Sequence, residues 1–119
     1  MKKDDLFHDW LVSYLEKRLS RDYKQVQVNY TNDKKHEFKG MHPDLILGNH
    51  GMIVAIMEVE TEESITPEKA QHWQDMAGKG AKLMLMVPAH LKPKVMDLVW
   101  KRGIVDKVSV GSYEISIKM

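Results

Sequence analysis

Apolar and polar positions along the chain change period several times, and each change marks an element. Between Asp4 and Ser20, Leu6, Trp10, Leu11, Tyr14, Leu15 and Leu19 recur at helical spacing. That spacing predicts a first helix with a broad apolar arc, capped by Asp4 or Asp5, with Glu16 at its polar edge. From Tyr23 to Tyr30 the period falls to two, with Tyr23, Gln25, Gln27 and Asn29 opposed to Lys24, Val26, Val28 and Tyr30. Such alternation predicts a half-exposed strand near a sheet edge, and Thr31 to Gly40 follows as a polar loop.

Leu45-Ile46-Leu47 is a short apolar run closed by Gly48-Asn49-His50-Gly51, the kind of tight connection that joins antiparallel strands. Met52 to Met57 is apolar on both faces and predicts a central strand covered by helices on each side. Thr66-Pro67 is an N-cap and N1 pair for a helix to about Gly80 that buries Ala70, Trp73, Met76 and Ala77. Leu83 to Val87 is a second apolar strand, stopped by Pro88 before a helix from about Leu91 to Arg102, with Gly103 as its C′ residue. Val105 to Lys118 gives one or two further strands, with Gly111-Ser112 as a turn between them in the second case. The predicted order αβββαβαβ implies an α/β fold: a mixed sheet flanked by helices, hairpin first and crossover later.

Composition narrows the chemistry. A chain of 119 residues with no repeat or linker fits a single domain over 1–119. The absence of cysteine removes disulfides, thiolate metal sites and cysteine nucleophiles. The chain has no signal-peptide pattern at Met1-Lys2-Lys3-Asp4-Asp5 and no apolar run long enough for a bilayer, so the expectation is a cytoplasmic protein with no membrane partner. Net charge is only +1, from 18 basic and 17 acidic residues, so any polyanion must be met by local clusters. Lys17, Arg18, Arg21 and Lys24, then Lys34, Lys35 and Lys39, lean basic; Glu58, Glu60, Glu62, Glu63 and Glu68 lean acidic. The last three acids read as plain solvated surface.

Glu58 and Glu60 stand where the most apolar strand gives way to acids, and residues two apart on a strand share a face about 6 to 7 Å apart. Asp44 opens the preceding strand, so the hairpin turn would bring it beside them. Three converging carboxylates suit Mg²⁺ or Mn²⁺, hard ions that take oxygen ligands and, in the case of Mg²⁺, keep several waters. The six histidines show no ligand spacing and read as surface or loop residues, except that His42, two positions before Asp44, is placed to reach a phosphate. No phosphate-binding glycine loop, dinucleotide fingerprint or serine elbow occurs.

Pro43-Asp44, an apolar run through a glycine turn, and Glu58-Val59-Glu60 resemble the signature of the PD-(D/E)XK phosphodiesterases, the restriction-endonuclease-like and Holliday-junction-resolvase-like nucleases. The resemblance implies an αβββαβ core over residues 6 to 88 with a carboxyl-terminal αβ extension. It implies that Asp44 and Glu58 hold the metal. Glu60 stands where most members have a lysine that orients the attacking water; here it would bind metal or accept a proton. Glu16 is similar to the extra acid many resolvase-like members carry on the first helix, though a surface glutamate is the plainer reading. Gln71 is similar to a glutamine several members place near the site. Lys82 is favoured over Lys69 as the replacement lysine, because Lys69 projects about 160° from Gln71.

The leading expectation is thus a Mg²⁺- or Mn²⁺-dependent nuclease acting on nucleic acid, DNA before RNA. Its catalytic set is Asp44, Glu58, Glu60 and Gln71, its metal set Asp44, Glu58, Glu60 and Glu16, and its phosphate contacts Lys34, Lys35, Lys39 and His42. Dimerisation, common in that fold, would add the recognition surface a short chain lacks. Two alternatives stay open: a catalytically inactive member of the same fold that binds nucleic acid or protein, and an unrelated α/β domain whose acids merely end strands.

Overall fold

The computed structural model of the chain describes residues 3–116. The elements run α1 (Lys3–Leu19), β1 (Gln25–Val28), β2 (Leu45–Asn49), β3 (Met52–Val59), α2 (Pro67–Ala77), β4 (Lys82–Pro88), a 3₁₀ turn (Ala89–Leu91), α3 (Lys92–Lys101) and β5 (Val108–Tyr113). The five strands form one mixed sheet in the order β1-β2-β3-β4-β5. The first two pairings are antiparallel and the last two parallel. Each parallel pair is joined through a helix, as a parallel crossover requires. The radius of gyration, 13.9 Å, is close to the ~13.5 Å of a compact chain this long.

Two apolar layers sandwich the sheet. On one side Leu11, Val12 and Leu15 of α1 pack on Leu45, Leu47, Ala55, Met57 and Val59. On the other, Ala70, Trp73, Met76 and Ala77 of α2 and Val95 and Val99 of α3 pack on Ile46, Ile56, Leu83, Leu85 and Val87. Alternate residues of β2, β3 and β4 therefore enter opposite cores, which is why these strands read as continuous apolar runs. Among the described residues no helix is long and apolar enough to cross a membrane.

The hairpin forms at a two-residue turn, His50 and Gly51, with φ of 54° and 78°, the left-handed pair that matches strand twist. α2 starts as its cap dictates: Thr66 Oγ1 accepts the Lys69 N–H at 3.0 Å, and Pro67 occupies the first turn.

Two expectations are corrected, and of the two alternatives for the last segment the single strand is the one that forms. The apolar arc of α1 splits, because one sheet covers only one stripe: Leu6, Trp10 and Tyr14 stay exposed while Val12 is buried. β3 is covered on both faces only from Ala55 onward; β4 begins opposite Ala55, so Met52, Ile53 and Val54 project past it and are exposed. Gly111-Ser112 is no turn: β5 runs through it, with Gly111 paired to Met86. A Cβ at Gly111 would lie 3.2 Å from the Met86 Cε, so the glycine leaves room for that side chain. Lys118, the predicted end of that segment, lies outside the described residues.

Candidate active site

The hairpin register sets Leu45 opposite Met57, which leaves Asp44 at the mouth of β2 facing Glu58 near the end of β3. Each carboxylate reaches across to the other strand's backbone. Glu58 Oε2 accepts the Asp44 N–H at 3.0 Å, and Asp44 Oδ2 accepts the Val59 N–H at 2.8 Å. Both acids are buried, at 7% and 4% exposure, yet both line an open cleft of about 520 Å³. The sequence predicts that Asp44, Glu58 and Glu60 converge; the structure brings Asp44 and Glu58 together in the cleft and leaves Glu60 out of its lining.

Helices supply the counter-charges. From α1, His8 Nε2 lies 3.0 Å from Asp44 Oδ2 while its Nδ1 lies 2.9 Å from Asp9 Oδ1. Asp9 is in turn held by the N–H and hydroxyl of Thr31, at 3.0 and 2.8 Å. An imidazole facing carboxylates through both nitrogens must donate from both, so it carries the extra proton. Burial opposes that charge, but the hydrogen bond and charge of Asp44, then those of Asp9, outweigh it and raise the His8 pKa to about 9. From α2, His72 Nε2 lies 3.1 Å from Glu58 Oε1. That hydrogen bond raises the His72 pKa, while burial and then the Asp44 charge raise Glu58 to about 7. The pair thus holds a proton near neutrality.

Glu60 sits deeper and has another role. Fully buried, it accepts from Ser64 Oγ at 2.8 Å and Trp73 Nε1 at 3.4 Å, and Lys69 Nζ lies 3.4 Å away. Burial raises its pKa against the pull of Lys69, while the charge of Glu60 leads those that raise Lys69 against burial. Glu60 does not line the cleft, unlike Glu58 and Lys69, and acts as a buttress for Lys69. Tyr113 Oη donates to the Glu60 carbonyl at 2.8 Å and ties β5 to this point.

No family model, curated protein or solved structure matches this chain. The site must therefore be read from its own geometry.

Of the other expected residues, Lys34 and His42 line the cleft. They are carried by the loop after β1, which fully buried Asn29 clamps: its amide donates to the His36 and Pro43 carbonyls, both at 2.7 Å, and its oxygen accepts the His36 N–H at 2.8 Å. Lys35 is exposed and paired with Asp33. Lys39 donates to the Lys79 carbonyl at 2.7 Å and lies over the Phe38 ring, away from the cleft. Gln71 is exposed and bonded to Arg102 and Asp75. Glu16 is half-buried on α1 and outside the cleft lining. Lys82 is exposed at the start of β4, opposite Ala55, and outside the cleft lining, whereas Lys69 belongs to it.

His8 and His72 belong to the site, although spacing alone read them as surface. Their signal was helical phase: His8 precedes Leu11 and Val12 by three and four positions, and His72 follows Lys69 by three. The 160° that separates Lys69 from Gln71 was correct geometry; it is Lys69 that faces inward.

As donors, Asp44 and Glu58 suit a hard divalent ion that keeps most of its waters and takes phosphate oxygens, provided that it displaces His8 and His72 from their oxygens. Glu60 and Glu16 add nothing to that set. Among the described residues, no three acids or histidines stand together as an ion cage.

Proposed function

We propose that the cleft is the catalytic centre of a metal-dependent nucleic-acid phosphodiesterase on a restriction-endonuclease-like core. The observation that carries this reading is the meeting of Asp44 and Glu58 from paired strands with the Lys69 ammonium from the next helix in one open cleft. Two features support it further: the element order α1-β1-β2-β3-α2-β4 follows the expected αβββαβ, and Lys69 supplies the cation that Glu60 displaces from the motif.

Asp44 and Glu58 would hold Mg²⁺ or Mn²⁺, which supplies Lewis acidity toward a phosphoryl oxygen. The chain's own groups do the rest. Lys69, pinned by Glu60, presents positive charge where negative charge builds up on the phosphate, with no reorganisation needed during reaction. His72 shares a proton with Glu58 and is half-exposed at the cleft wall, where it can deliver that proton to a leaving oxygen. Lys34 and His42 at the mouth hold flanking phosphates, contacts that position a backbone without reading its sequence.

One observation favours the second reading, a catalytically silent binding module. Each acid already has a basic partner from a helix: His8 on Asp44, His72 on Glu58 and Lys69 on Glu60. These protein partners already occupy the acids without a metal ion.

The two readings separate on a panel of single-stranded, duplex and branched DNA and RNA with Mg²⁺ or Mn²⁺. Asp44→Asn and Glu58→Gln should abolish cleavage while leaving binding intact or tighter, since each removes a ligand and also a repulsion of phosphate. Lys69→Met should lower the cleavage rate about 10²- to 10³-fold, as loss of one transition-state donor does. Binding without metal-dependent cleavage by folded wild type would select the silent module, and neither binding nor cleavage would leave an unrelated α/β domain.

A further inference from the structure

One flank of α1 carries three aromatic rings in series, Phe7 half-buried against the core and Trp10 and Tyr14 exposed. Phe7 and Trp10 lie with centroids 6.4 Å apart and planes 17° from parallel; Trp10 and Tyr14 follow at 5.9 Å and 23°. Trp10 and Tyr14 are 55% and 51% exposed although both are large and apolar, and neither belongs to the core on which α1 packs. Cations continue the same face. Lys17 follows Trp10 by two turns, within about 20° of its direction, and Arg18 follows Tyr14 by one turn, within about 40°. Both are exposed in the last turn of α1, and exposed Arg21 and Lys24 extend the basic stretch.

The ladder is continuous with the candidate active site. Phe7 lines a depression of about 600 Å³ that shares Asp4 and Thr61 with the catalytic cleft, and the residue after Phe7 is His8, the partner of Asp44. A polymer lying along α1 would run from the basic end of the helix across the rings to the edge of this depression, whose walls carry Glu62, Glu63 and Glu114 and so favour a path along the outer rim toward the paired carboxylates.

We propose that this face is the binding track for single-stranded nucleic acid, its bases stacked on Trp10 and Tyr14 and its phosphates met by Lys17 and Arg18. The proposal rests on the phosphodiesterase reading for its end point and names that reading's substrate class. Charge and shape choose the occupant. Near-parallel rings offer flat apolar surface to planar groups, the flanking cations require a negative chain, and unpaired strands combine both features. A duplex keeps its base faces stacked inside and offers the ladder nothing to stack on.

Binding is measured on the full chain in EDTA, where no cleavage intrudes, using labelled oligothymidylate, oligouridylate and a duplex of equal length. Both single strands should bind more tightly than the duplex. Trp10→Ala should weaken single-strand binding about 5- to 150-fold, the range expected for one lost base-stacking contact, while Trp10→Phe should retain most of it. Trp100→Ala, which removes a tryptophan 69% exposed on α3, should leave binding unchanged. Equal or tighter duplex binding overturns the proposal, as does indifference to Trp10→Ala or equal loss from Trp100→Ala. Sedimentation of the wild type and Trp10→Ala tests the competing occupant: a wild-type dimer dissolved by the substitution would assign the ladder to a second copy of the chain. The two readings fail separately. Trp10-dependent single-strand binding with no cleavage would leave the track and remove the phosphodiesterase; Asp44-dependent cleavage of duplex, indifferent to Trp10, would do the reverse.

Discussion

Glu60 and Lys69 show how a buried acid is answered from another element of the chain. A carboxylate with no exposed surface is costly unless paired and hydrogen-bonded; Ser64, Trp73 and Lys69 together satisfy it. Removing the ammonium alone strands the charge. Lys69→Met should therefore cost about 3 kcal/mol in denaturant unfolding, the low end for breaking a buried pair because Lys69 keeps some water contact. Adding Glu60→Gln should recover most of that loss. The pH dependence has a definite sign. Burial raises the Glu60 pKa in the folded state, so the folded protein binds more protons than the unfolded chain and gains stability as pH falls. The Lys69→Met penalty should shrink from neutral pH toward the ordinary glutamate range and stay flat when Glu60→Gln is also present. A full, pH-independent penalty in the double variant would show that Lys69 acts through packing of its stem. Sequence reading saw Glu60 as a motif position and Lys69 as the wrong side of a helix, because neither the depth of an acid nor the inward phase of α2 is encoded locally.

Elements were more legible than side-chain partners, and the reasons are particular. The start of α2 and the β2-β3 hairpin rest on Thr66-Pro67 and His50-Gly51, local chemistry that acts within a few residues. The end of β5 and the exposure of Met52 to Val54 depend on which strand lies alongside, information carried by residues such as Met86 and Lys82 far along the chain. Gly48 and Gly51 look alike in the sequence and differ in physics. At Gly51 nothing lies within 4 Å of an added Cβ, but φ is 78°; Gly51→Ala should cost about 1 to 2 kcal/mol of backbone strain. At Gly48 the Cβ would sit 2.9 Å from the Met52 carbonyl oxygen and 3.0 Å from Gln25 Oε1, with backbone as the nearest neighbour. Gly48→Ala should exceed the Gly51→Ala loss and also lower any cleavage activity, since the hairpin aligns Asp44 with Glu58. Equal urea midpoints for the two variants would mean that β3 moves aside at Gly48 at no more cost than the backbone strain at Gly51.

At the scale of the molecule, a net charge of +1 gives no general attraction for a polyanion, so affinity depends on where the cations stand. Sequence alone grouped Lys34, Lys35 and Lys39 as one basic loop; folding separates them. Lys34 faces the cleft, Lys35 pairs with Asp33, and Lys39 reaches back to the Lys79 carbonyl and the Phe38 ring. A phosphate bound at the cleft releases counterions only where a lysine meets it, and each contact contributes a slope of about 0.7 to 0.9 in log affinity against log salt. Lys34→Ala should thus reduce that slope by about one contact and weaken binding alike for every base sequence. Lys39→Ala should leave the slope unchanged, and Lys35→Ala should alter it little, because its charge is already offset by a neighbour. Anisotropy titrations across a salt series, run in EDTA on the three variants, separate these outcomes. Equal slope losses would mean that the loop meets nucleic acid as a mobile basic segment, with the Asn29 clamp released on binding; a loss confined to Lys34 would fix the polymer's path through the cleft holding Asp44 and Glu58.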